Sequence, residues 1–423
     1  VITADRSHNL LDQYQDQMAP THKLYSSICK KSVILPIIKS EEDEWRCTLT
    51  VNQALSELKH KIHGPVNIIF QIMENEVFSF NTITLPDKRV INRVEMKDSD
   101  IVWQEKVKKL SGMKKIIINC GQHEPYSSKE ISIIEKFSSK FNCVFLFDHI
   151  SNLNIENGIN PNNILSLAAN DSLRKLSPDI IITFGGHSVC SISQVIKEAK
   201  NEVEHWLINE EGEFIDTFHR LTNVFETDPL YFFEYFSKNS LSYNNKDYLN
   251  LWKKMLNKFS IPDFKYSDVF AVQKLLKNIP EDSLLHIGNS LSVRYSQFFN
   301  IPKSVKVFCN RGANGIDGSL STFIGTVAAS KKLCFLIIGD LSFFYDMNAL
   351  WNRYLNNNIR ILLNNNRGGM IFNSHVYWSP YKTVNDFTAA EHNSTARGWC
   401  ESQGIKYFAV TDKEEFEEVF PKF

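Results

Sequence analysis

Short apolar runs, each closed by a polar or glycine-containing turn, recur along the chain. In the middle they read KKIIINCG (114–121), NCVFLFDH (142–149), DIIITFGG (179–186) and EHWLIN (204–209). Polar, helix-like segments separate them. Continuous apolar runs of this length suit parallel strands covered on both faces. Alternation with helices implies βαβ units and a doubly wound sheet. A second series follows: SLLHIGNS (283–290), VKVFCN (305–310), LCFLIIGD (333–340), IRILLNNN (359–366) and IKYFAV (405–410). The polar stretch YNNKDYLNLWKKMLNKF (243–259), expected to hold a connecting helix, leads toward that series. Before residue 95 the pattern is thinner. It offers the strand-like VITADR, a helix-like stretch from Val51 to His60, and GPVNIIFQI after a Gly-Pro turn.

The expected architecture is therefore α/β, with doubly wound parallel sheets in three domains. They are placed at 1–95, 96–255 and 256–423, the first incomplete. A length of 423 residues fits about three domains. No repeat or low-complexity tract interrupts the series.

Composition changes this picture little, but it excludes some functions. Hydrophobic residues make up 43% and charged residues 22%, an ordinary globular balance. The formal net charge is −1, so no global field favours nucleic acid or an acidic membrane. No apolar run reaches the ~20 residues that a membrane helix needs, so no stable membrane insertion is expected. The eight cysteines form no CxxC and lie at irregular spacing, several in strand-like runs. They read as free buried thiols of a reducing, cytoplasmic compartment.

The candidate chemistry sits at strand ends of the second series. Asp340 closes LCFLIIGD, and Asn364, Asn365 and Asn366 close IRILLNNN, with 366 − 340 = 26 residues between Asp340 and Asn366. That interval suits strand, turn, crossover and next strand, so both polar ends should face one crevice. One carboxylate, one amide oxygen and a backbone carbonyl near Gly368 make a sparse oxygen site. Such a site suits Mg²⁺ or Mn²⁺ when phosphates and water supply the remaining ligands. The flanking glycines let backbone approach phosphates closely. Taken singly, a Gly-Asp or an Asn triplet is an ordinary turn; together, at matched strand ends, they are specific.

This pair resembles the cofactor motif of the thiamine-diphosphate-dependent enzymes. GDLSFFYDMNAL (339–350) is similar to the branch that serves menaquinone biosynthesis, with Leu341 where most families have glycine. The asparagine loop reads NNNRGGMIF (364–372), with Arg367 an apparent insertion. The ligand is thus Asn366 or Asn365. NRGANGIDGSLST (310–322) is nearly identical to that branch's NRGASGIDG, with Asn314 replacing serine. The resemblance implies that Arg311 binds a substrate carboxylate and that Ile316 props the cofactor in its bent shape. It places Ser290, Asn314, Gly315, Gly339, Asp340, Leu341 and Asn366 beside the cofactor. GNSLSVR (288–294) adds Arg294 as a second carboxylate ligand. TADR (3–6), with Ser7 in place of proline, adds Arg6, and NLLDQYQDQ (9–17) adds Gln17. Arg220, in DTFHRLTN, is a weaker candidate on the middle domain, where an ordinary surface arginine is the favoured reading.

The resemblance further implies a transferase with 2-oxoglutarate and isochorismate as substrates. Both are dicarboxylates, which gives several arginines a purpose. It implies a homodimer or homotetramer with sites between subunits. It also implies a glutamate hydrogen-bonded to the aminopyrimidine, upstream of TADR. Only Val1 and Ile2 precede Thr3, so the chain is expected to be a fragment or processed form, truncated at both ends and inactive alone. Glu41, Glu42 and Glu44, read as a solvated loop, do not take that role. Two alternatives stay open: a related 2-oxo acid decarboxylase or synthase with another acceptor, and an inactive subunit.

Overall fold

The structure, a computed structural model, describes residues 1–11, 20–72, 87–190, 192–199, 202–241, 245–373 and 381–423. The chain forms two compact units. The first comprises Val1–Ile117, Ser177–Phe184 and Ala199–Tyr243; the second comprises Ile118–Leu176, Gly185–Glu198 and Asn244–Phe423. The fold is α/β, and every strand pairing described below is parallel.

In the first unit a three-stranded sheet is formed by β1 (Ile2–Arg6), β2 (Lys31–Ile34) and β3 (Val66–Ile72), in the order β1-β3-β2. The helix Glu41–Glu57 covers it, with Ala54 packed among Val33, Val66 and Ile68. That helix begins earlier than the apolar pattern suggested. Glu41, Glu42 and Glu44 form its first turn rather than a solvated loop. The Ser40 hydroxyl accepts from the Asp43 amide, and the acidic turn opposes the positive end of the helix dipole.

Also in this unit, β4 (Asn92–Glu95) lies beside β10 (Leu221–Glu226), followed by β9 (Glu204–Ile208) and β8 (Ile180–Phe184). Aromatic rings fill the core against them. Trp103, Trp206, Phe225, Phe232 and Phe236 are all within 1% of full burial. Strands β2, β4 and β10 escaped the pattern reading because they are short or carry polar residues, as in LTNVFE.

β5 (Ile116–Cys120) begins in the first unit and ends in the second, where β6 (Cys143–Phe147) and β7 (Gly158–Ile159) follow it in spatial order. The sheet that carries the candidate chemistry belongs wholly to the second unit. It contains β11 (Leu284–Ile287), β12 (Lys306–Phe308), β13 (Cys334–Gly339) and β14 (Ile359–Asn364), in the order β12-β11-β13-β14. One face packs on Val272, Leu275 and Leu276 of the helix Asp268–Asn278; the other packs on Leu320, Phe323 and Val327 of Ser319–Ala329.

The run 405–410, expected as a fifth strand, is not one. It has no ladder partner, and Ile361 and Leu363 of β14 line a cavity of about 1020 Å³ together with Tyr407 and Val410. Neighbouring strands must lie about 4.8 Å apart to bond, so an apolar run alone does not make a strand. The expected connecting helix is present as Asp247–Leu256. All eight cysteines are free, six of them buried. Among the described residues no helix is long and apolar enough to cross a membrane.

Candidate functional site

Because the four strands β11 to β14 are parallel, their C-terminal ends open on one edge. Four loops therefore line up there: 309–318 after β12, 288–290 after β11, 339–342 after β13, and 365–369 after β14. This is the crevice where open α/β sheets take ligands.

Gly339 and Asn364 are directly paired, which puts Asp340 beside the asparagine run as the spacing implied. Asp340 is 2% exposed. Its Oδ1 accepts from the Leu341 amide at 2.7 Å and its Oδ2 from the Gly368 amide at 3.0 Å. His392 Nε2 stands 3.2 Å from Oδ2, within ion-pair range but off the hydrogen-bond direction. His392 Nδ1 accepts from the Ser394 amide, so a neutral ring carries its proton on the nitrogen facing Asp340.

Asn365 and Asn366 differ in a way that the sequence left open. Asn365 is exposed at the loop surface, its amide donating to the Ser394 carbonyl. Asn366 donates to Asp268 Oδ2 at 2.6 Å, and its Oδ1 is buried without a partner. A buried amide oxygen with no donor is costly unless something binds it. Asp268 was not anticipated. It opens the helix Asp268–Asn278, 98 residues earlier, and no local motif marks it. Burial raises its pKa and the nearby charge of Asp340 raises it further, while the Asn366 hydrogen bond opposes both.

Arg367 and Gly368 both take positive φ, 69° and 149°. A Cβ on Gly368 would meet the Ala389 carbonyl at 2.7 Å, so only glycine fits. The Gly368 carbonyl accepts from the Met370 amide, which leaves a second lone pair. Asp340, Asn366 and Gly368 together offer hard oxygen donors, and the orphaned Asn366 oxygen and the paired negative charges suit a divalent cation.

The loop 309–318 turns through positive φ in several places. Gly312, Asn314 and Gly318 have φ of 126°, 59° and 72°. Arg311 is half-buried; its Nη1 donates to Asn289 Oδ1 at 2.9 Å, and its Nε is buried with no acceptor. The Ile316 carbonyl accepts from Ser342 Oγ, which ties this loop to the turn after Asp340. Gly315 is tied to Asn289 in turn, at 2.7 Å. Ser290 has φ 71° and ψ −129°, a region that non-glycine residues enter at a cost and that collects at functional sites. Arg294 is exposed, its Nη1 folded back on the Ser290 carbonyl at 2.9 Å.

Three candidate residues remain. Arg6 ends β1 in the first unit, half-buried. Gln17 lies outside the described residues. Arg220 is exposed in the first unit, as its reading required. Asp268, Asn289, Ser342 and His392 are the site residues that pattern reading missed.

No known family model matches the chain. Curated proteins do. The chain is 39% identical to the 2-succinyl-5-enolpyruvyl-6-hydroxy-3-cyclohexene-1-carboxylate synthase of Phocaeicola vulgatus, over 100% of this chain and 76% of that protein. It is 37% identical to the synthase of that name from Bacteroides thetaiotaomicron, with the same coverage. With the one from Flavobacterium psychrophilum the identity is 32%, over 99% and 76%. Relatives this similar over this much of both chains settle the family: the chain belongs to the 2-succinyl-5-enolpyruvyl-6-hydroxy-3-cyclohexene-1-carboxylate synthases.

Proposed function

We propose that the protein is a thiamine-diphosphate-dependent transferase of menaquinone biosynthesis. It decarboxylates 2-oxoglutarate and joins the remaining four-carbon unit to isochorismate, giving the product that names the family. Identity of 39% along the whole chain carries this reading, and the loops gathered at one sheet edge agree with it.

Asp340, the Asn366 amide oxygen and the Gly368 carbonyl would hold Mg²⁺ or Mn²⁺. The orphaned Asn366 Oδ1 favours Asn366 over Asn365 in this set. Gly339, Leu341, Ser290, Asn314 and Gly315 would lie beside the cofactor at this edge, and Ile316 would shape it. When bound, thiamine diphosphate supplies the carbon nucleophile and the electron sink that decarboxylation needs. This chain's part is recognition. Arg311 turns a buried, unpaired Nε–H toward a carboxylate, and Arg294, Arg6 and Gln17 complete the binding of two dicarboxylates. The proposal includes three α/β domains divided near residues 95 and 255, a homodimer or homotetramer, and a cytoplasmic location.

The test is turnover by the complete enzyme supplied with 2-oxoglutarate, isochorismate, thiamine diphosphate and Mg²⁺. Carbon dioxide release coupled to isochorismate consumption, dependent on both cofactor and metal, is the expected result. No turnover, or a preference for pyruvate, would overturn it.

A further inference from the structure

Asn289 joins two of the site's loops, its own at 288–290 and the one at 309–318. It follows β11, is 3% exposed, and uses every hydrogen-bonding position of its amide. Its Nδ2 donates to the Asn310 carbonyl and to the Gly315 carbonyl, each at 2.7 Å. Its Oδ1 accepts from Arg311 Nη1 at 2.9 Å and from the Cys309 thiol at 3.5 Å. The amide can face only one way. Turned over, it would set donors against a guanidinium and an oxygen against two carbonyls.

The consequence falls on Arg311. One corner of its guanidinium is held by Asn289, while the buried Nε has no acceptor. With Nη1 engaged, the donors left for a carboxylate are Nε and the far amine, a pair that both carboxylate oxygens can grip, with the Cys309 thiol beside the same guanidinium. The loop does not hold this arrangement by itself. Gly312, Asn314 and Gly318 all have positive φ, so its shape depends on what its carbonyls are tied to. Asn289 ties two of them, and Ser342 ties the Ile316 carbonyl from the other side.

We propose that Asn289 is a positioning residue. It selects the edge of Arg311 that meets the carboxylate of the 2-oxo acid, and it pins the 310–318 loop against the sheet edge. This rests on the function proposed above. An aspartate in its place would keep an acceptor for Arg311 but lose both donors, and would neutralise the arginine that the substrate needs.

The experiment uses the complete enzyme with Asn289→Ala, Asn289→Asp, Arg311→Ala and the Asn289→Ala/Arg311→Ala pair. Steady-state kinetics and amide hydrogen exchange across 310–318 are recorded for each. Expected are a rise of about tenfold or more in KM for 2-oxoglutarate in Asn289→Ala with a smaller change in kcat, and a double variant within about threefold of Arg311→Ala. Faster exchange in 310–318 is expected in both Asn289 variants. An unchanged KM, or effects of the two single substitutions that multiply, would overturn the positioning role. Unchanged exchange would overturn the pinning whatever the activity. A wild-type enzyme that ignores 2-oxoglutarate refutes the proposed function instead, and exchange still decides whether Asn289 holds the loop. If Asn289→Ala loses its thermal transition, Asn289→Asp carries the same comparisons.

Discussion

Replacing Asn366 with aspartate puts the electrostatics of the candidate metal site to a direct test. Asn366 now donates to Asp268 at 2.6 Å, with Asp340 close enough to raise the Asp268 pKa. In Asn366→Asp that donor becomes a second carboxylate. Two like charges about 4 Å apart after relaxation repel by about 4 kcal/mol at an effective dielectric of about 20. At about 1.4 kcal/mol per pKa unit, the pair would hold one shared proton about three units above the ordinary carboxylate value. The sign follows from linkage. A group whose folded pKa lies above its unfolded value is stabilising while protonated, and that stability is lost as pH rises through the folded pKa. The variant should therefore approach wild type only below the unfolded carboxylate pKa, near about pH 4, and fall about 4 kcal/mol below it near about pH 8. A divalent cation should close part of the gap, because it replaces the proton as the neutralising charge. Urea denaturation followed by tryptophan fluorescence across that range, with Mg²⁺ or with chelator, reads the difference. Stability curves for variant and wild type that run parallel with pH would refute the reasoning.

Three further outcomes are expected. Asp340→Ala should abolish metal-dependent binding of thiamine diphosphate in titration calorimetry; unchanged affinity would remove Asp340 from the metal site. Gly368→Ala forces a Cβ to 2.7 Å from the Ala389 carbonyl at φ 149°, and should cost about 2–4 kcal/mol, read as a lower thermal midpoint. A wild-type midpoint would show that the 365–369 loop yields freely. Asp216 accepts from Trp45, Arg89, Arg220 and Leu221, each at 2.8 Å. Burial alone would raise its pKa, but the Trp45 indole, the Leu221 amide and the Arg89 guanidinium hold it below the carboxylate range. Asp216→Ala should cost about 3–5 kcal/mol above the ordinary carboxylate pKa, and the loss should shrink as pH falls through the depressed one. A loss that stays constant with pH would contradict this.

The parts of the site that were legible in the sequence are those whose partners are close along the chain or whose motif is compact. Gly339 and Asp340 follow a continuous apolar run, and the asparagines follow the next. Parallel pairing then brings the two ends together with no other choice. The 309–318 loop could be read because NRGANGIDG is a compact motif nearly identical to the family's, and two of its glycines, Gly312 and Gly318, fall where the backbone turns left-handed. The strand expected at 405–410 failed for a related reason. Its apolar run is real, but a strand also needs a neighbour at bonding distance, and a local pattern carries no information about that distance.

What the sequence determined alone is the α/β class, the sheet edge that carries the chemistry, and the family, through GDLSFFYDMN and NRGANGIDG. What only the tertiary structure decided is which atoms are left wanting a partner. Asn365 and Asn366 are chemically identical neighbours, yet one donates at an exposed loop surface and the other carries a buried, orphaned oxygen beside Asp268. Which Arg311 nitrogen is already engaged is likewise set by Asn289, 22 residues away in sequence. Burial and hydrogen-bond satisfaction belong to the packed molecule, because they depend on groups that only folding brings within about 3 Å of one another.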